Sequence, residues 1–225
     1  MATYAKRPVT LRVGAMIGRM DGASDTFSYG ADGPTERELR LLGDVKGKRV
    51  LELGCGSGAA AIALARQGAV VIGIDSSHER LAEARARGDE ADVRVDWHHG
   101  DLADLAFLRA DSVDVVVSVH ALSEVEDAAR LFRQVERVLR PGAPFVFSAE
   151  HPVSLCMGPG DALAHSLFDQ GPITAGGRLL YVRQLSEVFA DLQRAGMRTD
   201  ALLEPRVGSS RVPRSFVWRA RKDGA

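Results

Sequence analysis

The sequence predicts an α/β fold: a doubly wound, mostly parallel sheet of seven strands with an antiparallel edge hairpin. Three observations predict it. Short apolar runs alternate with helical patterns from Lys48 to Gly142. The runs are continuous, as in "AVVIGID" and "DVVVSVH", which suits strands buried on both faces. The last two runs, "RTDALLEPRV" and "SFVWRARK", follow one another with no helix between them, which suits an antiparallel pair.

Each element has its own signal. Residues 1–30 show no clear period; with Lys6, Arg7, Arg12 and Arg19 and little serine, they read as a basic arm and not as a transit peptide. "TERE" from Thr35 to Glu38 is a capping box, and Gly43 is the expected stop of the helix that follows. The strands are expected at 48–53, 69–75, 93–99, 114–120 and 144–150. Between them come a small-residue helix stopping at Gly68 and a helix opened by Ser76 and Glu79 through about Arg87. A short helix or helical turn is expected over 102–110, and an amphipathic helix ends at Pro141-Gly142. Residues 152–178 are rich in glycine and proline and long for a connection, as in a lid. A further amphipathic helix spans 184–196.

Composition narrows the function classes. The chain has 225 residues, the size of one α/β domain. Its formal net charge of −1 gives no electrostatic reason to expect nucleic acid or an acidic membrane surface. Two cysteines, Cys55 and Cys156, make neither a disulfide framework nor a metal-ligand spacing. No apolar run is long enough to cross a bilayer, so the expected location is the cytoplasm, with no membrane partner.

Ligands of open α/β sheets bind beyond the carboxyl ends of the strands. At those ends stand Glu52 to Gly58, Asp75-Ser76-Ser77, His98 to Leu102, Ser118-Val119-His120 with Ser123 and Glu124, and Glu150-His151-Pro152. In "LELGCGSG", Gly54 and Gly56 let the backbone bend and approach a ligand. The following helix aims free N–H groups at the same place. Asp75, about twenty residues on, is placed to accept ribose hydroxyls. A phosphate loop is excluded, because Gly58 is followed by Ala59-Ala60 and no lysine. A dinucleotide stays open, since Gly54-x-Gly56-x-x-Ala59 fits the looser fingerprint. Glu52, before the glycines, and the other polar ends tip the balance away from it.

The ordered series "LELGCGSG", "GIDSS", "HHGDLADL", "DVVVSVHALSEVED" and "RVLRPGAPFVFSAEHP" resembles class I S-adenosylmethionine-dependent methyltransferases. It is most similar to the small-molecule, type 11-like methyltransferases, over roughly Val45 to Pro152. The resemblance implies a Rossmann-like sheet, S-adenosyl-L-methionine as cofactor and a small-molecule methyl acceptor. It implies that Glu52, Gly54, Cys55, Gly56 and Gly58 form the cofactor turn, with Gly54-Cys55-Gly56 against the methionine part. Asp75 would take the ribose hydroxyls, with Ser76 beside the adenine. Asp101 and the Leu102 backbone would read the adenine, and the backbone at Ser118 and Val119 would face the amino group. Tyr29, in "DTFSYG", resembles the aromatic that closes over the cofactor. Residues 1–34 would then be an arm covering cofactor and substrate, and 35–225 the methyltransferase domain, with a substrate-cover insertion at about 152–180.

Methyl transfer needs an aligned nucleophile and, for some acceptors, a base. His120 and His151, at the ends of adjacent strands, are the candidate bases or substrate ligands, with Glu124 and Glu150 as weaker candidates for partners. His98 and His99 alternate in direction, and with His120 and Asp101 they show no metal-ligand spacing. Met157, Leu163, Leu167, Phe168 and Ile173 line an apolar pocket or fill the core of a short helix. A monomer or homodimer is expected. The other function classes are an NAD(P)-dependent oxidoreductase and a non-catalytic cofactor binder.

Overall fold

The computed structural model describes residues 10–11, 26–30, 33–158, 162–168 and 172–224. Much of the expected N-terminal arm, including its four cations, lies outside the described residues.

In chain order the elements are β1 (Thr10–Leu11), α1 (Glu36–Leu39), β2 (Arg49–Leu53), α2 (Ala59–Arg66), β3 (Val70–Asp75), α3 (His78–Glu90), β4 (Val95–His99) and β5 (Val115–Val119). A 3-10 turn follows at Leu122–Glu124. Then come α4 (Ala128–Val138), β6 (Pro144–Glu150), α5 (Pro152–Cys156), β7 (Pro172–Ala175), β8 (Arg178–Tyr181), α6 (Leu185–Arg194), β9 (Met197–Leu203) and β10 (Ser215–Lys222).

Seven strands form one sheet in the order β4-β3-β2-β5-β6-β10-β9. The first five pair in parallel. Strand β10 runs antiparallel to both β6 and β9, so the expected antiparallel pair closes one edge. Order reverses between β2 and β5, and their carboxyl ends open onto a shared rim.

The continuous apolar runs divide cleanly between two faces, because successive strand side chains alternate. Leu51, Leu53, Val116, Phe145, Phe147, Phe216 and Trp218 face α4 and α6. There Phe147 stacks on Trp218 with ring centroids 6.1 Å apart. Val50, Val115, Val117, Val146 and Val217 face the alanine-rich α2 and the segment carrying Phe27 and Tyr29. These strands thus give their aromatic side chains to one face and most of their valines to the other, where the alanines of α2 pack.

Two local expectations change, and a third is met in its shorter form. The first helix ends at Arg40 in a left-handed conformation, before Gly43, although its capping box is present in both directions. Helix α3 is capped by Ser77 and not by Ser76; Asp75 Oδ1 accepts the Ser77 N–H and so turns the Ser77 hydroxyl onto Arg80 N. Residues 102–110 form hydrogen-bonded turns, Asp104 N–H onto the Asp101 carbonyl and Leu108 N–H onto the Leu105 carbonyl, within the expected short helix or helical turn. Asp101 and Asp104 bond the N–H groups two residues on, and Arg137 takes the Leu105 and Leu108 carbonyls, so the helical ladder loses its partners.

A second sheet, in the order β1-β7-β8, covers the rim. Its hairpin occupies part of the expected insertion. Leu155, Ala175 and Leu180 form its small core, with Ile173 packed against them. Leu163 and Phe168 are exposed, so neither fills a helix core.

Candidate active site

The three glycines of the turn serve two purposes. All have positive φ: +69° at Gly54, +52° at Gly56 and +82° at Gly58. A side chain at Gly54 would place Cβ 2.1 Å from Ala121 Cβ, and one at Gly58 would meet Trp97 at 2.7 Å. These two are glycine because protein packs against them. Around Gly56 nothing lies within 4 Å of where a Cβ would stand. Gly56 is therefore glycine for its backbone conformation alone, and the turn leaves open space beside it.

Asp75 fastens this turn. Its Oδ2 accepts the Gly56 N–H at 2.8 Å and its Oδ1 the Ser77 N–H at 2.9 Å. Each carboxylate oxygen keeps a second lone pair. Ser76 is exposed beside it, its carbonyl 3.0 Å from His99 Nε2. Leu102 reaches towards Gly54 from the β4 end, and Asp101 is exposed next to it. Ser118 is buried and donates to the Leu53 carbonyl at 3.0 Å, which ties the ends of β5 and β2 together. Val119 lies half-buried beyond it. Burial pushes the Cys55 thiol far above its ordinary range, so this cysteine is a packing residue and no nucleophile.

Glu52 is buried, and burial pushes its carboxyl up to about 8, against the pull of one backbone hydrogen bond at Ala61. The Asp75 charge pushes in the same direction as burial. Its Oε2 has no hydrogen-bond partner among the described residues. A buried acid lacking a donor fits a ligand that brings one.

The two candidate histidines part company. His151 is buried; its Nδ1 accepts the Val153 N–H at 3.2 Å and so caps α5. Its Nε2 lies 2.8 Å from Glu204 Oε1. Both nitrogens are thus engaged in holding the end of β6. His120 remains half-exposed at the rim, with φ +55°. Its Nδ1 lies 3.4 Å from Glu150 Oε1 and its Nε2 3.2 Å from the Tyr29 carbonyl. Burial alone would raise the Glu150 carboxyl; the bond and charge of His120, the Ser123 hydroxyl and the Arg178 charge outweigh it and hold it at about 2.

Tyr29 departs from its expected role. Its ring is fully buried against Phe27, and its hydroxyl donates to Glu36 Oε2 at 2.6 Å. What it presents to the rim is its carbonyl, on His120. Glu36 also accepts the Leu42 N–H at 2.8 Å, so a buried carboxylate locks the segment in place.

Sequence reasoning missed Arg178, on β8. Its guanidinium donates to Glu124 Oε1 at 2.9 Å, Glu150 Oε1 at 3.1 Å and the His120 carbonyl at 2.8 Å. The partners lie 28 to 58 residues away, so no local pattern could reveal them.

A family model described as a methyltransferase domain matches residues 51–147. The crystal structure of an S-adenosylmethionine-dependent methyltransferase from Mesorhizobium loti superposes with a TM-score of 0.71; it is 32% identical, over 82% of this chain and 96% of that one. The chain belongs to the S-adenosylmethionine-dependent methyltransferases. Among curated relatives, the ubiquinone biosynthesis O-methyltransferase of Hahella chejuensis is 42% identical over 102 residues, 45% of this chain and 43% of that one. That of Xanthomonas oryzae pv. oryzae is 37% identical over 131 residues, 53% and 54%. The chain thus spans about half the length of the curated relatives it matches.

Membership sets the cofactor as S-adenosyl-L-methionine and removes the nicotinamide alternative. The residues present fit it: Gly56 faces open space, Asp75 keeps lone pairs for hydroxyls, and Glu52 lacks a donor of the kind an ammonium group supplies. Among the described residues no cluster of His, Cys, Asp and Glu could hold a metal ion, and no helix is long and apolar enough to cross a membrane.

Proposed function

We propose that this methyltransferase acts on a hydroxyl group of a small molecule, with His120 as general base and Glu150 as the carboxylate behind it. The observation that carries this reading is the His120–Glu150 pair at the rim, one strand away from the glycine turn. The names of the curated relatives support an oxygen acceptor.

The Gly54–Gly58 turn and Glu52 would hold the methionine part of the cofactor, with the backbone of Ser118 and Val119 beside its amino group. Asp75 and Ser76 would take the ribose and the adenine edge, and Asp101 and Leu102 the adenine. When bound, the cofactor supplies an electrophilic methyl on a positively charged sulfur. The protein's tasks are then alignment and removal of one proton. In the resting arrangement both His120 nitrogens face acceptors. His120 acts as a base in its neutral form, with its one ring proton on Nδ1 towards Glu150; the Nε2 lone pair turns from the Tyr29 carbonyl onto the acceptor hydroxyl and takes its proton. Ionised Glu150 stabilises the resulting imidazolium through Nδ1. His151, buried and capping α5, is assigned to structure.

The expected enzyme is a cytoplasmic monomer or homodimer with no nucleic-acid partner, in keeping with its net charge of −1. The test uses methyl-labelled cofactor with a panel of phenols, catechols and carboxylic acids. His120→Gln should lower kcat roughly 100- to 10,000-fold and leave the calorimetric affinity for S-adenosylhomocysteine unchanged. An unchanged kcat removes His120 as the base. No heat with either form of the cofactor, or binding without turnover on any acceptor, overturns the enzyme reading.

A further inference from the structure

We propose that Arg178 is a positioning residue: docking of the cover sheet through its guanidinium is what fixes the His120–Glu150 pair. The inference rests on the reading of His120 as the base. Its own support is geometric. Arg178 sits on β8 of the cover sheet, and all three of its partners belong to the rim. One oxygen, Glu150 Oε1, is shared between Arg178 Nη1 at 3.1 Å and His120 Nδ1 at 3.4 Å. The same guanidinium holds the carbonyl of His120 itself, through Nη2 at 2.8 Å.

His120 needs such a hold. Its φ of +55° is a left-handed conformation that a non-glycine residue adopts only under strain. Its N–H donates to the Ser148 carbonyl at 3.0 Å, which fixes one side of the residue. Arg178 fixes the other. Without it the His120 peptide is free to relax, and the ring direction goes with it. Glu124, bonded to Arg178 Nε at 2.9 Å, anchors the guanidinium from the far side.

A second arginine secures the same docking and leaves Arg178 its separate role. Arg183, just past β8, donates to the carbonyls of Leu122, Val125 and Glu126. It holds the cover to the loop after β5 and touches neither Glu150 nor the ring of His120. The cover therefore stays docked when Arg178 is changed, and the effect reads on the pair.

The experiment uses the full chain with carbon-13-labelled histidine, followed by NMR. Of the six histidine ring lines, that of His120 is the one absent in His120→Gln. In the parent protein it should be a single sharp line. In Arg178→Gln it should split or broaden about twofold or more as the ring samples several orientations. Arg178→Lys, which keeps a cation beside both carboxylates, should restore it in part. S-adenosylhomocysteine affinity, read by calorimetry, should be the same in all three. If Arg178→Gln does not fold, Glu124→Gln removes the anchor instead and should broaden the same line. A His120 line left sharp in Arg178→Gln, or in Glu124→Gln where that is used, overturns the positioning role. Failure of the base reading shows separately, as an undiminished kcat in His120→Gln.

Discussion

Glu52→Gln should make the free protein more stable as pH rises, against the usual effect of altering a buried site residue. Burial pushes the Glu52 carboxyl from 4.5 to about 8. Below pH 4.5 the group is protonated in both the folded and the unfolded chain and has no effect on the slope. Between 4.5 and 8 the folded protein holds a proton that the unfolded chain has released, so stability falls as pH rises. Each pH unit in that window removes about 1.4 kcal/mol. Above pH 8 the loss levels at about 4–5 kcal/mol, a large part of the 5–15 kcal/mol of a typical domain. Glutamine has the same shape, still offers an oxygen to the Ala61 N–H and never ionises. Its NH₂ inherits the unpartnered position of Oε2, which costs about 1–3 kcal/mol independently of pH. The readout is therefore a difference of differences. Urea unfolding of parent and variant without cofactor, at pH 5, 7 and 9, should show the variant gaining on the parent by about 4 kcal/mol across the series. Parallel pH profiles would refute the assignment of Glu52 as a carboxyl held protonated by burial.

Other expectations follow from the same geometry. Gly54→Ala should destabilise by about 3 kcal/mol or more, from left-handed strain plus overlap with Ala121, whereas Gly56→Ala costs about 1 kcal/mol and should instead weaken S-adenosylhomocysteine binding; thermal unfolding and calorimetry separate the two. Tyr29→Phe leaves Glu36 Oε2 buried without its donor and should cost about 1–3 kcal/mol in urea unfolding. Glu150, held at about 2 against 4.5, stabilises the fold fully above pH 4.5 and loses that contribution, up to about 3 kcal/mol, as pH falls towards 2. Glu150→Gln should flatten that acid limb in pH-dependent unfolding. His151→Ala should lose about 1 kcal/mol of stability through the cap on α5, with kcat unchanged in the methyl-transfer assay.

The sheet was legible because its evidence is local. A run such as "DVVVSVH" states by itself that both faces are buried, and the capping box at Thr35 is complete within four residues. The rim was legible for a related reason: strand ends can be counted from the runs. What escaped was decided between distant residues. Two adjacent serines competed to cap α3, and the choice fell to Asp75. The pattern at 102–110 leaves open a helix or a helical turn, and Arg137, some 30 residues away, settles it by claiming its carbonyls. Tyr29 has the composition of a lid and the position of a core residue, because Glu36 takes its hydroxyl. His120 and His151 look equivalent at their strand ends; only the three-dimensional neighbours, Glu204 for one and Glu150 with Arg178 for the other, set them apart.

The place of β10 has a consequence for synthesis. It follows the other six strands of its sheet in the chain, yet it lies inside that sheet, between β6 and β9. A chain emerging from the ribosome can lay down β2 to β6 in order, but β9 has no docking site until Ser215–Lys222 has followed it out. Until then the outer edge of β6 offers its unpaired backbone to any passing strand. The nascent protein is therefore most open to mispairing in the interval between β6 and β10. Strand β1 waits in a similar way for Pro172–Ala175, so the cover over the rim is assembled only after the parallel core has been made.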